Sequence, residues 1–179
     1  MCFSLPASLV AGSLGVGFGY AMNNAIGIFV MYFSLVQFAE GAVYAGCHTA
    51  FWDRALVILL GSQLTVYTLA TQKATSPAHY PYMSAFGILV FAYSVVSPLK
   101  QRTSESCVEY LYNDRMAQLL FLQYLSILYS TVSQPEYRCT GFTLAVTGFL
   151  SYFSRNYANA SLWCWSSAVA APLMWGLCA

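Results

Sequence analysis

A stripe of polar and aromatic side chains runs through the second apolar stretch of the chain, residues 25–50. Its members are Gln37, Glu40, Tyr44 and His48. Because they are spaced by three and four positions, these side chains share one face of a helix. A carboxyl group at the centre of a bilayer costs roughly 2.5–3.5 kcal/mol to insert, so it usually faces protein or water and has a function. With Asp53, the stripe predicts a pathway or binding site for a proton, an ion or a small solute.

Glu40 also has a structural interpretation, in which a protonated carboxyl group joins helices through tyrosine or glutamine partners. No lysine or arginine lies in the middle of a predicted span, so we expect neutral partners and a side chain that points into the bundle. For His48, the simpler interpretation is a histidine at the membrane interface whose hydrogen bonds are satisfied there. The leading prediction is therefore binding or conduction of a small solute. The alternative is a structural or assembly subunit of a larger membrane complex or viral membrane.

An intramembrane enzyme is the third and weakest interpretation. The two histidines, His48 and His79, fall on opposite predicted sides of the membrane, and the chain has no H-x-x-x-H or C-x-x-C pair to hold zinc. The seventh apolar segment lacks a lysine that could hold retinal as a Schiff base. Ser34 precedes Glu40, but no G-x-S-x-G motif surrounds it. We therefore predict no catalytic residues, no metal and no cofactor.

The composition is that of a membrane protein. Hydrophobic residues make up 59% of the chain and charged residues 7%, against about a quarter charged in a soluble domain, and the mean hydropathy is +0.59. The length suits a single integral membrane domain, residues 1–179, without a separate soluble one. A net charge of +1 argues against nucleic acid. The expected partners are membrane lipids and, in an assembly, further copies of the chain or other membrane subunits.

Seven apolar segments predict an all-α fold, a polytopic bundle of seven transmembrane helices, with six as the alternative. About 20 residues cross the hydrocarbon core, and backbone that faces lipid must be helical. The segments are 5–22, 25–50, 54–72, 82–98, 116–133, 139–154 and 158–178. The sixth is the shortest, and if it does not span the membrane the count falls to six. The second helix is expected to end at Asp53 and Arg54.

The first segment carries a small residue at every fourth position, namely Ala7, Ala11, Gly15 and Gly19. Such a ridge lets another backbone approach closely. We therefore expect the first helix to pack through this ridge, inside the bundle or at a subunit contact. The polar pair Asn23–Asn24 then predicts a tight antiparallel hairpin with the second helix.

The basic residues predict the orientation of the bundle. With seven spans, the N-terminal side holds Arg54, Lys100, Arg102, Arg115 and Arg155. The opposite side holds Lys73 and Arg138. This excess of five over two predicts a multi-pass topology with a cytoplasmic N-terminus. Cys139 and Cys178 then fall on the exoplasmic side, where we predict a disulfide bond between them.

Two features near the N-terminus carry a resemblance to a known family. The chain opens with Met1, Cys2, Phe3 and Ser4. Its second segment contains the Q-x-x-E-G element that begins at Gln37 and includes Glu40. In these features about the first 50 residues resemble a family of small polytopic membrane proteins, with bacterial and giant-virus members and no assigned biochemical activity. The resemblance implies that these motif residues matter, although family members often carry tryptophan where this chain has Tyr44.

Overall fold

The computed structural model describes residues 5–46, 50–72, 78–99 and 113–153. The helices of these ranges are α1 (Leu5–Met22), α2 (Ala25–Tyr44), α3 (Ala50–Gly61), α4 (Gln63–Ala70), α5 (Tyr80–Val96), α6 (Asp114–Ser133) and α7 (Arg138–Phe153). A 3-10 turn, Pro135–Tyr137, joins α6 to α7. The described part of the chain contains no strand, which confirms the predicted all-α class.

Two asparagines build the hairpin between α1 and α2. Asn23 has a φ of 47°, a left-handed conformation that asparagine tolerates better than most residues, and Asn24 is the N-cap of α2. The Asn24 side chain accepts a hydrogen bond of 2.8 Å from the backbone N–H of Gly27. This bond satisfies an amide that the first turn of a helix leaves free. The predicted hairpin is confirmed.

The second helix is shorter than predicted. It ends at Tyr44, because Gly46 takes a φ of 85°, a left-handed conformation that glycine adopts without strain and that commonly terminates helices. The next helix, α3, contains Asp53 and Arg54 near its start. The prediction that these two residues close the second helix is therefore wrong.

The predicted third segment, 54–72, is divided into α3 and α4 at Ser62. The Ser62 hydroxyl donates to the carbonyl oxygens of Ile58 at 2.6 Å and Leu59 at 3.2 Å. A serine that bonds back to the preceding turn slightly destabilises a helix and often bends it. The backbone N–H of Ser62 still donates to the Ile58 carbonyl at 2.9 Å, so α3 and α4 remain joined by helical hydrogen bonding.

Helix α2 is largely buried by its neighbours. It packs against α1 on one side and against α3 and α4 on another; α5 packs on α3 and α4, α6 on α4 and α5, and α7 on α6. Much of the apolar core lies where α2 meets α3 and α4, and its largest buried side chains include Ile26, Phe29, Leu56, Leu64 and Tyr67. The rings of Phe29 and Tyr67 meet edge-on at 5.4 Å and join α2 to α4.

Two helices near the N-terminus suggest membrane association. Helices α1, of 18 residues, and α2, of 20 residues, are each long and apolar enough to cross a membrane. Helix α5 is apolar but shorter. Helix α1 is largely exposed and α2 is largely buried, so α2 occupies the interior. The predicted seventh segment, 158–178, lies outside the described residues, and the number of spans stays a prediction.

Candidate functional site

Gln37 and Glu40 lie on the buried face of α2, one helical turn apart. Gln37 is 0% exposed and Glu40 is 1% exposed. Their burial fits the cost of presenting an amide or a carboxyl group to lipid. Ser34, one turn earlier, is also buried, and its hydroxyl donates to the carbonyl oxygen of Val30 at 2.7 Å. Ser34 is therefore satisfied within its own helix, while Glu40 takes part in further interactions.

The side-chain amide of Gln37 makes no hydrogen bond. Within the described ranges neither its Nε2 nor its Oε1 has a partner. Leaving a buried donor or acceptor unsatisfied costs about 1–3 kcal/mol, and most such groups in native proteins are paired with protein or with ordered water. Gln37 therefore offers an unmet acceptor and an unmet donor in the interior.

Helix α1 closes one side of this polar face. Gly15 lies against Ser34, and a Cβ added at Gly19 would come within 2.7 Å of the carbonyl oxygen of Gly27. This close backbone approach agrees with the role predicted for the small-residue ridge. Of the ridge residues, Ala11, Gly15 and Gly19 are buried and Ala7 is partly buried.

Two further residues of α1 that the four-residue spacing left out also face α2. Gly12 lies against the ring of Phe38, and Ser8 lies against Gly41. Ser8 is buried, and its hydroxyl has no hydrogen-bond partner in the part of the chain that the structure describes. Because Gly41 follows Gln37 by one turn, Ser8 contributes a second unmet polar group beside the same stretch of α2.

The other members of the predicted pathway are not all on α2. Tyr44 is the last residue of the helix, half-buried and engaged in further interactions. Asp53 lies on α3, after the turn that ends α2, so it does not continue the stripe as the sequence predicted. His48 lies outside the described residues. The structure thus brings Gln37 and Glu40 together on one buried face, with Tyr44 at its end.

Two other buried glutamines were not singled out from the sequence. Gln123 of α6 is 1% exposed, and its Nε2 donates to the carbonyl oxygen of Leu60 on α3 at 2.8 Å. Gln63, the first residue of α4, is 2% exposed, and its Nε2 has no partner among the described residues. Both lie in apolar segments, where an amide is costly. That cost is the signal that could have identified them.

Tyr67 and Ser130 connect α4 to α6. The Tyr67 hydroxyl donates to Ser130 Oγ at 3.1 Å, and Gln134 Nε2 donates to the same oxygen at 2.9 Å. The bond from Tyr67 crosses the interface between two helices and satisfies the buried tyrosine hydroxyl, whereas the bond from Gln134, the C-cap of α6, stays at the end of that helix. The role of the Tyr67 bond is therefore to hold α6 against α4.

Arg54 contacts the end of α5 with its half-buried side chain. Its Nη1 donates to the carbonyl oxygens of Ser94 at 2.9 Å and Ser97 at 2.8 Å. Pro98 has no N–H and cannot satisfy the Ser94 carbonyl, and Ser97 is the C-cap of α5. The partners are 40 and 43 positions apart, so sequence patterns could not reveal this contact.

The described residues contain no group of three or more His, Cys, Asp or Glu side chains that could hold a metal ion. Cys139, the second residue of α7, is disulfide-bonded. Cys178 lies outside the described residues, so the predicted bond between these two cysteines stays a prediction. The opening motif, Cys2, Phe3 and Ser4, also lies outside them.

Comparison of the chain with protein-family models, with curated proteins and with solved structures finds no match. The resemblance of the N-terminal residues to small polytopic membrane proteins therefore stays a prediction.

Proposed function

We propose that this chain is a multi-pass membrane protein with an internal polar site on α2, at Gln37 and Glu40, that binds or conducts a small polar solute, a proton or an ion. The supporting observation is the Gln37 amide, which is fully buried and has no hydrogen-bond partner in the described ranges. Because native proteins seldom leave both atoms of an amide unmet, this one is available to a guest. Glu40 adds a carboxyl group that can carry a proton or a charge.

Contacts between the later helices support the multi-pass part of the proposal. In three helix pairs a glycine lies directly against a serine or threonine of the neighbouring helix. The pairs are Gly61 of α3 with Ser94 of α5, Gly87 of α5 with Thr65 of α4, and Gly141 of α7 with Thr131 of α6. Small residues at helix contacts are typical of membrane proteins, because lipid provides no hydrophobic drive between helices and association depends on close packing.

The surface of the molecule supports the same conclusion. Every described α-helix exposes large apolar side chains, for example Leu14, Ile28, Phe51, Leu69, Leu89, Phe121 and Phe142. Several glutamine, serine and threonine side chains, such as Gln37, Ser94 and Thr131, are buried. A soluble domain buries most of its large apolar residues, so large apolar side chains exposed on every described helix suit a molecule surrounded by lipid.

The combined length of α3 and α4 also suits a membrane span. Together they cover Ala50–Ala70, about 30 Å of helix, which matches one bent span.

The proposed orientation places the N-terminus in the cytoplasm, because five of the seven lysines and arginines fall on that side of seven spans. Lipid covers most of the exposed apolar surface in this proposal. Further copies of the chain or other membrane subunits cover the rest where the protein assembles.

A structural or assembly subunit is the second candidate, and the closure of the site supports it. Glu40 is 1% exposed and takes part in interactions, and α1 packs at backbone distance along the same helix. A carboxyl group that only joins helices needs no access to solvent. In this candidate function the buried polar groups of α2 organise packing and carry nothing.

The substitution Glu40→Gln separates the two candidates, because it keeps the shape of the side chain and its hydrogen bonding but removes its titration. Proton, cation and neutral-solute fluxes would be measured with the purified protein in liposomes. The proposal predicts that Glu40→Gln folds normally and loses the protein-dependent flux.

Ser34→Ala is the matched control, because Ser34 lies on the same helix, is buried and donates only to its own helix. We expect this variant to keep the flux of the unchanged protein. An unchanged flux in Glu40→Gln, with an intact fold, contradicts the transport proposal and supports the structural subunit.

A further inference from the structure

Arg54 is held in one orientation by α5. Its Nη1 donates to two carbonyl oxygens, those of Ser94 and Ser97, at 2.9 and 2.8 Å. A guanidinium Nη1 carries two hydrogens, so this atom is fully used. Because both partners are neutral carbonyls at the C-terminal end of a helix, the contact positions the cation without cancelling its charge.

The other edge of the Arg54 guanidinium is unused. Nε and Nη2 make no hydrogen bond or ion pair in the described part of the chain. These two atoms present parallel N–H groups, the arrangement that binds two oxygens of a phosphate or carboxylate at once. Asp53, the adjacent carboxylate, points about 100° away around α3 and has interactions of its own. The unused edge is therefore available to an external anion.

The surroundings of Arg54 fit the boundary between membrane and water. Phe51, in the same part of α3, is 68% exposed, and its ring meets that of Trp52 edge-on at 5.2 Å. Aromatic side chains at the end of a span are typical of the headgroup region, where lipid phosphates lie. Ser97 also carries a buried hydroxyl without a hydrogen-bond partner, so this corner of the described structure has a second unmet polar group.

We infer that the Nε and Nη2 edge of Arg54, oriented by the Ser94 and Ser97 carbonyls, binds the phosphate group of a membrane lipid. The inference rests on the proposed membrane location and is independent of the polar site on α2. Arginine suits this role better than lysine, because its planar fork engages two phosphate oxygens while lysine acts as a point charge. The site thus couples a lipid headgroup to the contact between α3 and α5.

Lipid binding to the full chain would be measured by native mass spectrometry and by competition in detergent, with phosphatidylglycerol as the probe. Arg54→Lys keeps the positive charge and donors for the α5 carbonyls but loses the two-pronged edge. Arg54→Gln removes the charge as well. We expect the affinity for phosphatidylglycerol to fall about tenfold in Arg54→Gln, because one charge-assisted contact is lost. In Arg54→Lys the affinity should fall by less.

Arg115→Gln is the matched control, because Arg115 is an exposed arginine at the start of α6 on the same predicted side of the membrane. It removes the same formal charge and should leave binding nearly unchanged. The melting temperature of Arg54→Lys shows whether α5 remains held, so weaker binding with an unchanged melting temperature supports the site. Equal binding in Arg54→Lys, Arg54→Gln and Arg115→Gln overturns it.

Two further probes identify the source of the phosphate. Diacylglycerol with the same acyl chains lacks the phosphate, and we expect its binding to be independent of Arg54. Inorganic phosphate lacks the chains, and we expect it to compete poorly. Strong competition by inorganic phosphate overturns the assignment to lipid.

Carbonate extraction tests membrane insertion separately. A chain that does not insert contradicts the proposed membrane location. An inserted chain whose lipid binding does not change when Arg54 is substituted contradicts this inference alone.

Discussion

Two buried glutamines, Gln37 on α2 and Gln123 on α6, have the same exposure and different hydrogen bonding. Neither is more than 1% exposed. Gln123 Nε2 donates to the carbonyl oxygen of Leu60 and ties α6 to α3, with its Oε1 unpaired among the described residues, whereas neither amide atom of Gln37 has a partner in the described ranges. Burial alone therefore does not distinguish an amide that holds helices together from one that is open to a guest. Pairing distinguishes them.

The two regions are also held together differently. The hairpin of α1 and α2 depends on small residues that let the backbones touch, as at Gly19 and Gly27. The contact of α6 with α3 and α4 uses polar side chains, including the bond from Tyr67 to Ser130. Because close packing already joins α1 to α2, that hairpin does not need the Gln37 amide for its stability.

The largest expected effect is on the hairpin. Gly27→Ala should destabilise the protein by about 1–3 kcal/mol, because the added Cβ overlaps the carbonyl oxygen of Gly19, a backbone atom that cannot move aside. The loss of stability in Gly15→Leu should lie in the same range. There the atom nearest to the added Cβ belongs to the Ser34 side chain, which can rotate. Thermal unfolding in detergent measures both changes.

Gly17→Ala is the control for these variants, because Gly17 lies on α1 and an added Cβ meets nothing within 4 Å. Alanine there should be neutral or stabilising by up to about 1 kcal/mol, since it is the better helix former. Equal melting temperatures for Gly17→Ala and Gly27→Ala would show that backbone contact does not hold the hairpin.

The glutamines should respond in opposite directions. Gln123→Leu removes the hydrogen bond to Leu60 and should lower the free energy of unfolding by about 1–2 kcal/mol. Gln37→Leu removes an unpaired amide, so stability should stay the same or rise, while the flux or binding of the proposed site is lost. Unfolding of both variants would be followed in the same detergent. A larger loss of stability in Gln37→Leu than in Gln123→Leu would show that Gln37, and not Gln123, is the amide that stabilises the helix packing.

The smallest effect is expected at Tyr67. Tyr67→Phe removes one buried hydrogen bond to Ser130 and should cost about 0.5–1.5 kcal/mol, because the remaining ring still packs on Phe29. Tyr82→Phe is its control, since Tyr82 is exposed on α5, and it should leave the melting temperature unchanged. Identical melting temperatures for the two variants would show that the hydrogen bond from Tyr67 to Ser130 does not stabilise the protein.

Local signals predicted the elements that local chemistry builds. The bounds of α1, the turn at Asn23 and Asn24, and the start of α2 follow from an apolar run interrupted by two good turn formers. The end of α2 was missed because His48 continues the three- and four-residue spacing of the stripe, which extended the predicted helix past Gly46. The division at Ser62 was missed because the sequence of an apolar run does not show whether a serine hydroxyl bonds back to the preceding turn.

The candidate site was only partly visible in the sequence. Burial of Gln37 and Glu40 follows from the cost of exposing them to lipid. Contacts between distant residues were not visible, since neither the bond from Gln123 to Leu60 nor the contact of Arg54 with α5 leaves a periodic signal. The absence of a partner for Gln37 in the described ranges also depends on how the helices pack, so only a structure could reveal it.

The most direct test of the polar site is an experimental structure of the protein in lipid, at a resolution that shows ordered water, with Gln37→Leu as the paired specimen. The proposal predicts a water molecule or small solute within about 3.2 Å of Gln37 Nε2 or Oε1, and its loss in Gln37→Leu. A Gln37 amide that is hydrogen-bonded to other side chains, with no guest beside it, would contradict the proposal and leave α2 as a structural helix.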